Sequence, residues 1–172
     1  MPQDAPIWEL MKETEDMVSQ LCEKYPELFG HIDQSSIGCA AITGKDKPAT
    51  QSWDAKIGGI REPEALWSKK KYCIQFYKTT WDLYDKRLRA AMLFKLLKRI
   101  PDECDGKVNP EDLKDCYCLV KAFGTDYMKN PNLPDLLEEK QLFGSGGPPD
   151  ADVDILAPDP IKTNIDTNIN GV

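Results

Sequence analysis

The sequence predicts an α+β fold, a small β-sheet packed against three or four helices, and three observations predict it. Apolar residues recur at helical spacing in the first segment. Alternating apolar residues mark strands in the middle. Helical patterns then follow one another without strands between them. Runs segregated in this way suit α+β better than alternating α/β units. With 172 residues the chain is long enough to bury a proper core. Residues 1–143 read as the folded domain and residues 144–172 as a flexible acidic tail.

The first helix is expected from Pro6, with Ile7, Leu10, Met11, Met17, Val18, Leu21 and Tyr25 on its stripe. Tyr25-Pro26 ends it. Ile37, Cys39, Ala41 and Ile42 suggest a strand, and the Lys, Asp and Pro of residues 44–50 a loop. Ile57-Gly58-Gly59-Ile60 reads as a turn or short strand. It lacks the spacing of a phosphate-cradling loop. Tyr72, Ile74 and Phe76 alternate with Cys73, Gln75 and Tyr77, so both faces are apolar and the strand is central. Asp85 caps the next helix, which runs to about Ile100 before Pro101. Its wide apolar arc implies burial on more than one side. Asn109-Pro110-Glu111-Asp112 opens another helix, with Leu113, Cys116, Val120, Phe123 and Tyr127 on its stripe. Leu133 to Phe143 suggests a short terminal helix. Packing is the expected fate of Trp53, Trp67 and Trp81.

Charge narrows the function classes. Against 29 acidic side chains stand 22 basic ones, a formal net charge of −7. That argues against general binding to a nucleic-acid backbone and for a protein partner with a basic surface. No run approaches the roughly 18 apolar residues of a membrane span. The start Met1-Pro2-Gln3-Asp4 lacks a signal peptide's basic and apolar regions, so the expected location is cytoplasmic. In that setting the six cysteines are expected as thiols, mostly buried. Cys116-Tyr117-Cys118 is too tight for the usual zinc spacing, and the only histidine is His31. Lys69, Lys70 and Lys71 form a short basic run, expected as a solvated strand entrance and, as the minor reading, an anion contact.

In order and spacing the chain resembles the phage metallopeptidase family, a zincin-like group with a SprT-type layout. The resemblance covers about residues 5–140. It is carried by Ala55-Lys56-Ile57-Gly58-Gly59, by Tyr72-Cys73-Ile74-Gln75-Phe76-Tyr77 and by Trp81-Asp82-Leu83. The helix from Arg87 to Ile100, the Asp105-Gly106-Lys107-Val108 turn and the helix ending Ala122-Phe123-Gly124 complete it. Family members carry H-E-x-x-H in the middle helix. Two imidazoles one turn apart hold zinc, and the glutamate acts as general base on the metal-bound water. By the resemblance, the equivalent residues here are Lys95-Leu96-Leu97-Lys98-Arg99. Lysine and arginine repel a zinc ion, and Leu96 cannot accept a proton. The resemblance therefore implies a zincin scaffold with a degenerate metal site, no cofactor and no catalysis. Asp112 and Asp115 stand where the family places its later ligand. Lys95 and Arg99 either pair with one of them, as a staple replacing the metal, or reach solvent at a helix end.

Three functions follow as expectations. The first is an inactive phage protein that acts by binding a host or phage protein, for example as an inhibitor of a host defence or nucleic-acid-handling complex. The second is a metal-dependent hydrolase with a relocated site drawn from His31, Cys104, Cys116, Cys118 and nearby acids. The third is a binder of an anionic ligand or nucleotide, at the vacated cleft through Lys95 and Arg99 or at Lys69–Lys71 with Trp67, Tyr72 and Tyr77.

Overall fold

A computed structural model describes residues 7–110, 116–141 and 143. The acidic tail and the carboxylates Glu111, Asp112 and Asp115 lie outside the described residues. The architecture is α+β. Four strands, β1 (Ile7–Leu10), β2 (Ile37–Thr43), β3 (Ala55–Gly59) and β4 (Tyr72–Tyr77), form one mixed sheet in the order β1-β2-β4-β3. β2 and β4 run parallel, and the two outer pairings are antiparallel. The helices are α1 (Lys12–Lys24), α2 (Pro26–Phe29), α3 (Glu64–Ser68), α4 (Lys78–Asp82), α5 (Lys86–Leu97) and α6 (Tyr117–Phe123).

β4 is central, as its two apolar faces require. Tyr72, Ile74 and Phe76 are buried, while Cys73, Gln75 and Tyr77 are half-buried on the other face. α1 and α5 close the core with Val18, Leu21, Leu93, Phe94 and Leu97. Phe94 sits at the centre of an aromatic group, edge-on to Tyr25 at 5.3 Å and to Phe29 at 5.0 Å. Such pairs add to area burial because ring edges and faces carry opposite partial charge. The Tyr25 hydroxyl is fully used. It donates to the Leu136 and Glu139 carbonyls and accepts from the Gln141 N–H, which fastens the C-terminal segment to the core.

Asp85 caps α5 by accepting from the Leu88 N–H at 2.9 Å. The last α-helical bond runs from the Lys98 N–H to the Phe94 carbonyl, and the chain then tightens into three-residue turns through Ile100. Gly59 is needed where β3 meets the 105–108 turn: a Cβ there would lie 1.7 Å from the Gly106 carbonyl oxygen. The Gly106 N–H in turn donates to the Tyr72 hydroxyl at 3.1 Å.

Four local expectations are corrected. Residues 7–10 form edge strand β1, and α1 begins at Lys12. Antiparallel pairing of Trp8 with Ile42 and of Leu10 with Ala40 overrides a helical spacing, because these four residues suit a strand equally well. Asn109 and Pro110, expected to open a helix, have no regular secondary structure; Glu111 to Asp115 lie outside the described residues, and the described helix is α6 from Tyr117. Residues 131–141 form turns instead of a helix, interrupted by Pro131 and Pro134. Trp81 is buried and Trp53 half-buried, but Trp67 is 81% exposed, because α3 is a five-residue helix with no buried face.

Candidate functional site

The C-terminal end of α5 borders a cleft of about 650 Å³. One wall is β3 with the loop before it, which brings Trp53, Asp54, Ala55 and Lys56. The opposite wall is α5, through Met92, Lys95, Leu96 and Arg99. Tyr127 and Met128, from a single 3-10 turn at Tyr127–Lys129, close a third side. The sheet puts β3 at its edge against α5, so residues forty positions apart in sequence face one space.

The three predicted positions Lys95, Leu96 and Arg99 are thus brought together in one cleft. Leu96 is buried, and Lys95 and Arg99 are half-buried at its border. The Arg99 guanidinium Nε donates to the Asn109 carbonyl at 2.9 Å, and the Asn109 N–H returns a bond to the Arg99 carbonyl at 2.8 Å. This double link holds Asn109 against the end of α5. Lys56 adds a third cation that sequence reading did not single out. Its ammonium lies 4.5 Å from the centre of the Trp53 ring, and Trp53 stacks on Tyr77 at 5.3 Å. Nothing local marks Trp53 or Lys56 as site residues. Only the pairing of β3 with β4 places them there.

The cleft contains one carboxylate among the described lining residues, Asp54. It forms a short ion pair with Lys47 and accepts from the Tyr84 hydroxyl at 2.9 Å. Burial, and then the adjoining Asp54 carboxylate, push the Tyr84 hydroxyl up to about 12. Asp54 is therefore occupied in fixing its loop.

The other candidates lie elsewhere. Lys70 donates to the Ile37 carbonyl at 2.7 Å and faces Glu15 at 3.7 Å, while Lys71 donates to the Cys104 carbonyl at 3.1 Å. Lys69 occupies the left-handed position that ends α3. The basic run ties strand β4 to its neighbours, and none of its residues lines the cleft. His31 borders a second cavity of about 480 Å³, with Asp102 3.7 Å from its Nδ1 and the Ile100 carbonyl 3.4 Å from its Nε2. Cys104 meets the His31 carbonyl, not its ring. Cys116 and Cys118 adjoin each other at the start of α6. Among the described residues, no group of three or more His, Cys, Asp or Glu side chains is arranged to hold a metal ion. No helix among them is long and apolar enough to cross a membrane.

Fold and cleft define an α+β protein whose middle helix ends at a groove lined by cations. The chain matches the family model described as Putative phage metallopeptidase over residues 7–139, most of its length, and it belongs to that family. No curated protein and no solved structure matches it. The described lining of this cleft does not by itself fit the zinc that the family name implies. Its described lining offers no imidazole or thiolate, and its single carboxylate is already engaged by Lys47 and Tyr84.

Proposed function

We propose that this chain is a family member that binds instead of cleaving, with the zinc motif's place taken by Lys95, Leu96 and Arg99. The observation that carries the reading is the lining of the cleft: Lys56, Lys95 and Arg99 border it together, and among the described residues no zinc-type ligand set accompanies them. Positive charge repels a metal ion, and leucine at the base position cannot activate water. The work is then done by contact with another protein. A chain of net charge −7 favours a basic partner surface, of the kind found on nucleic-acid-handling and defence proteins of a phage host. Blocking such a complex is the concrete form of the proposal.

Native mass spectrometry on protein purified without chelator, with metal analysis of the same sample, tests it. The expected mass is that of bare polypeptide, with no peptide hydrolysis. One zinc per chain, lost together with hydrolysis on adding chelator, overturns the reading. A second reading is favoured by the same three cations: the cleft holds an anionic small ligand, with Trp53 as a stacking surface. Saturable quenching of Trp53 fluorescence by a nucleotide, abolished in Lys95→Gln, selects this second reading over the first.

A further inference from the structure

Cys116 and Cys118 form the closest sulfur contact among the described residues. Their Sγ atoms are 3.0 Å apart and share one S–H···S hydrogen bond. Cys73 and Cys104, by contrast, point their thiols at carbonyl oxygens. The pair sits at the start of α6: Cys116, with the extended dihedrals φ −86° and ψ 109°, precedes the helix, and Cys118 is its second residue. Cys116 is almost fully covered and Cys118 half-buried, so a small reagent reaches the pair from one side. A disulfide needs its sulfurs at about 2.05 Å, roughly 1 Å closer, a shift that rotation about the two side chains can supply.

We propose that Cys116 and Cys118 are a modification site, a dithiol that closes to an intramolecular disulfide under hydrogen peroxide. This is independent of what the cleft binds. The Cys116 thiolate attacks one peroxide oxygen and the O–O bond breaks. The leaving hydroxide takes up a proton as water, and Cys116 becomes a sulfenic acid. The Cys118 sulfur then attacks the Cys116 sulfur, the S–O bond breaks, and the Cys118 proton leaves with that oxygen as a second water. In total, two thiols are oxidised to one disulfide and one peroxide is reduced to two waters.

The surroundings suit these roles. The hydrogen bond from Cys118 holds the Cys116 thiol below its ordinary value against the opposing effect of burial. The Leu119 and Cys118 N–H groups and the Lys98 charge add to it. The same sulfur contact, followed by burial, pushes Cys118 up, so the pair divides into one nucleophile and one proton-bearing partner. Burial raises the Cys22 and Cys39 thiols, which leaves them poor nucleophiles. A disulfide across one intervening residue gains little from loop closure, so thiol reductants reopen it.

The two cysteines share the tryptic peptide Asp115–Lys121, which contains no other cysteine. Folded protein is treated with hydrogen peroxide, alkylated, digested and weighed. The expected peptide is unalkylated, lighter by the mass of two hydrogens, and returns to the doubly alkylated form after reduction. In Cys118→Ser, Cys116 halts at the sulfenic acid and is captured by a dimedone probe. Two outcomes overturn the proposal. One is full alkylation of both thiols at a peroxide dose that oxidises Cys104. The other is direct uptake of oxygen atoms by the wild-type peptide with no disulfide form.

Discussion

Helix α5 belongs to two regions that obey different rules. Along Ala90–Phe94 every side chain is buried, packed on the sheet from one side and on α1 and α2 from the other. From the next residue on, the same helix borders the cleft, where Lys95 and Arg99 are half-buried while Leu96 and Leu97 stay buried. The core part is fixed by volume and leaves little room for change. The cleft part is fixed by charge and hydrogen bonds at a water-facing border. Chemistry at the end of α5 can therefore change without disturbing the scaffold that presents it. On the reading proposed above, that separation lets the scaffold stay the same while the residues at the end of α5 change.

The comparison predicts its own largest effect on the core side. Phe94 is fully buried and touches Tyr25, Phe29 and Phe143. Phe94→Ala is expected to cost about 3–5 kcal/mol, from lost burial plus the cavity left behind. Urea denaturation measures it. A loss of about 1 kcal/mol or less would mean the aromatic group repacks freely, and the contrast between the two regions would fail.

An intermediate effect is expected at the wall of the cleft. Tyr84→Phe removes the hydroxyl that holds Asp54 and so loosens the loop carrying Trp53. A hydrogen bond to a charged acceptor contributes about 1.5–3 kcal/mol, and partial exposure puts this one at the lower end. The effect also depends on pH. The folded protein keeps the Tyr84 proton up to about 12, whereas the unfolded chain releases it near 10.0. Between those values the native state binds more protons than the unfolded state, so stability falls as pH rises. The advantage of wild type over Tyr84→Phe is therefore whole below pH 10 and shrinks toward 12. An advantage that grows with pH over that interval would reverse the assignment.

What the sequence made legible divides along the same line. β4, β2 and the Asp85 cap follow from local rules: alternation, β-branched residues and an aspartate three residues before the N–H it accepts from. The family resemblance located Lys95, Leu96 and Arg99, and the fold gathers them at one cleft. The opposite wall was illegible. Trp53 and Lys56 sit in a segment with loop composition, and only long-range pairing of β3 to β4 turns them toward α5. β1 failed for a related reason. Ile7-Trp8-Glu9-Leu10 satisfies either period, and the choice is made by the free edge of β2. The Cys116–Cys118 pair was visible as a spacing, but its meaning depends on the extended dihedrals of Cys116 at the start of α6, which bring the two sulfurs together.

The last prediction concerns Arg99, and it decides what holds the cleft's end. If Arg99 and a carboxylate of residues 111–115 formed a desolvated staple, removing the guanidinium would strand a buried charge and cost about 3–5 kcal/mol. Arg99 is half-buried, and its Nε donates to a carbonyl, Asn109, that the backbone already binds from the other direction. Arg99→Met keeps the apolar stem and deletes that bond, which by itself accounts for a loss of about 1 kcal/mol. Asp112→Asn and Asp115→Asn in the Arg99→Met background complete the measurement. Losses that simply add place Arg99 at the border of the cleft, able to meet a ligand. A loss of about 3 kcal/mol or more, absent when the partner aspartate is also neutralised, makes it the structural replacement for the metal instead.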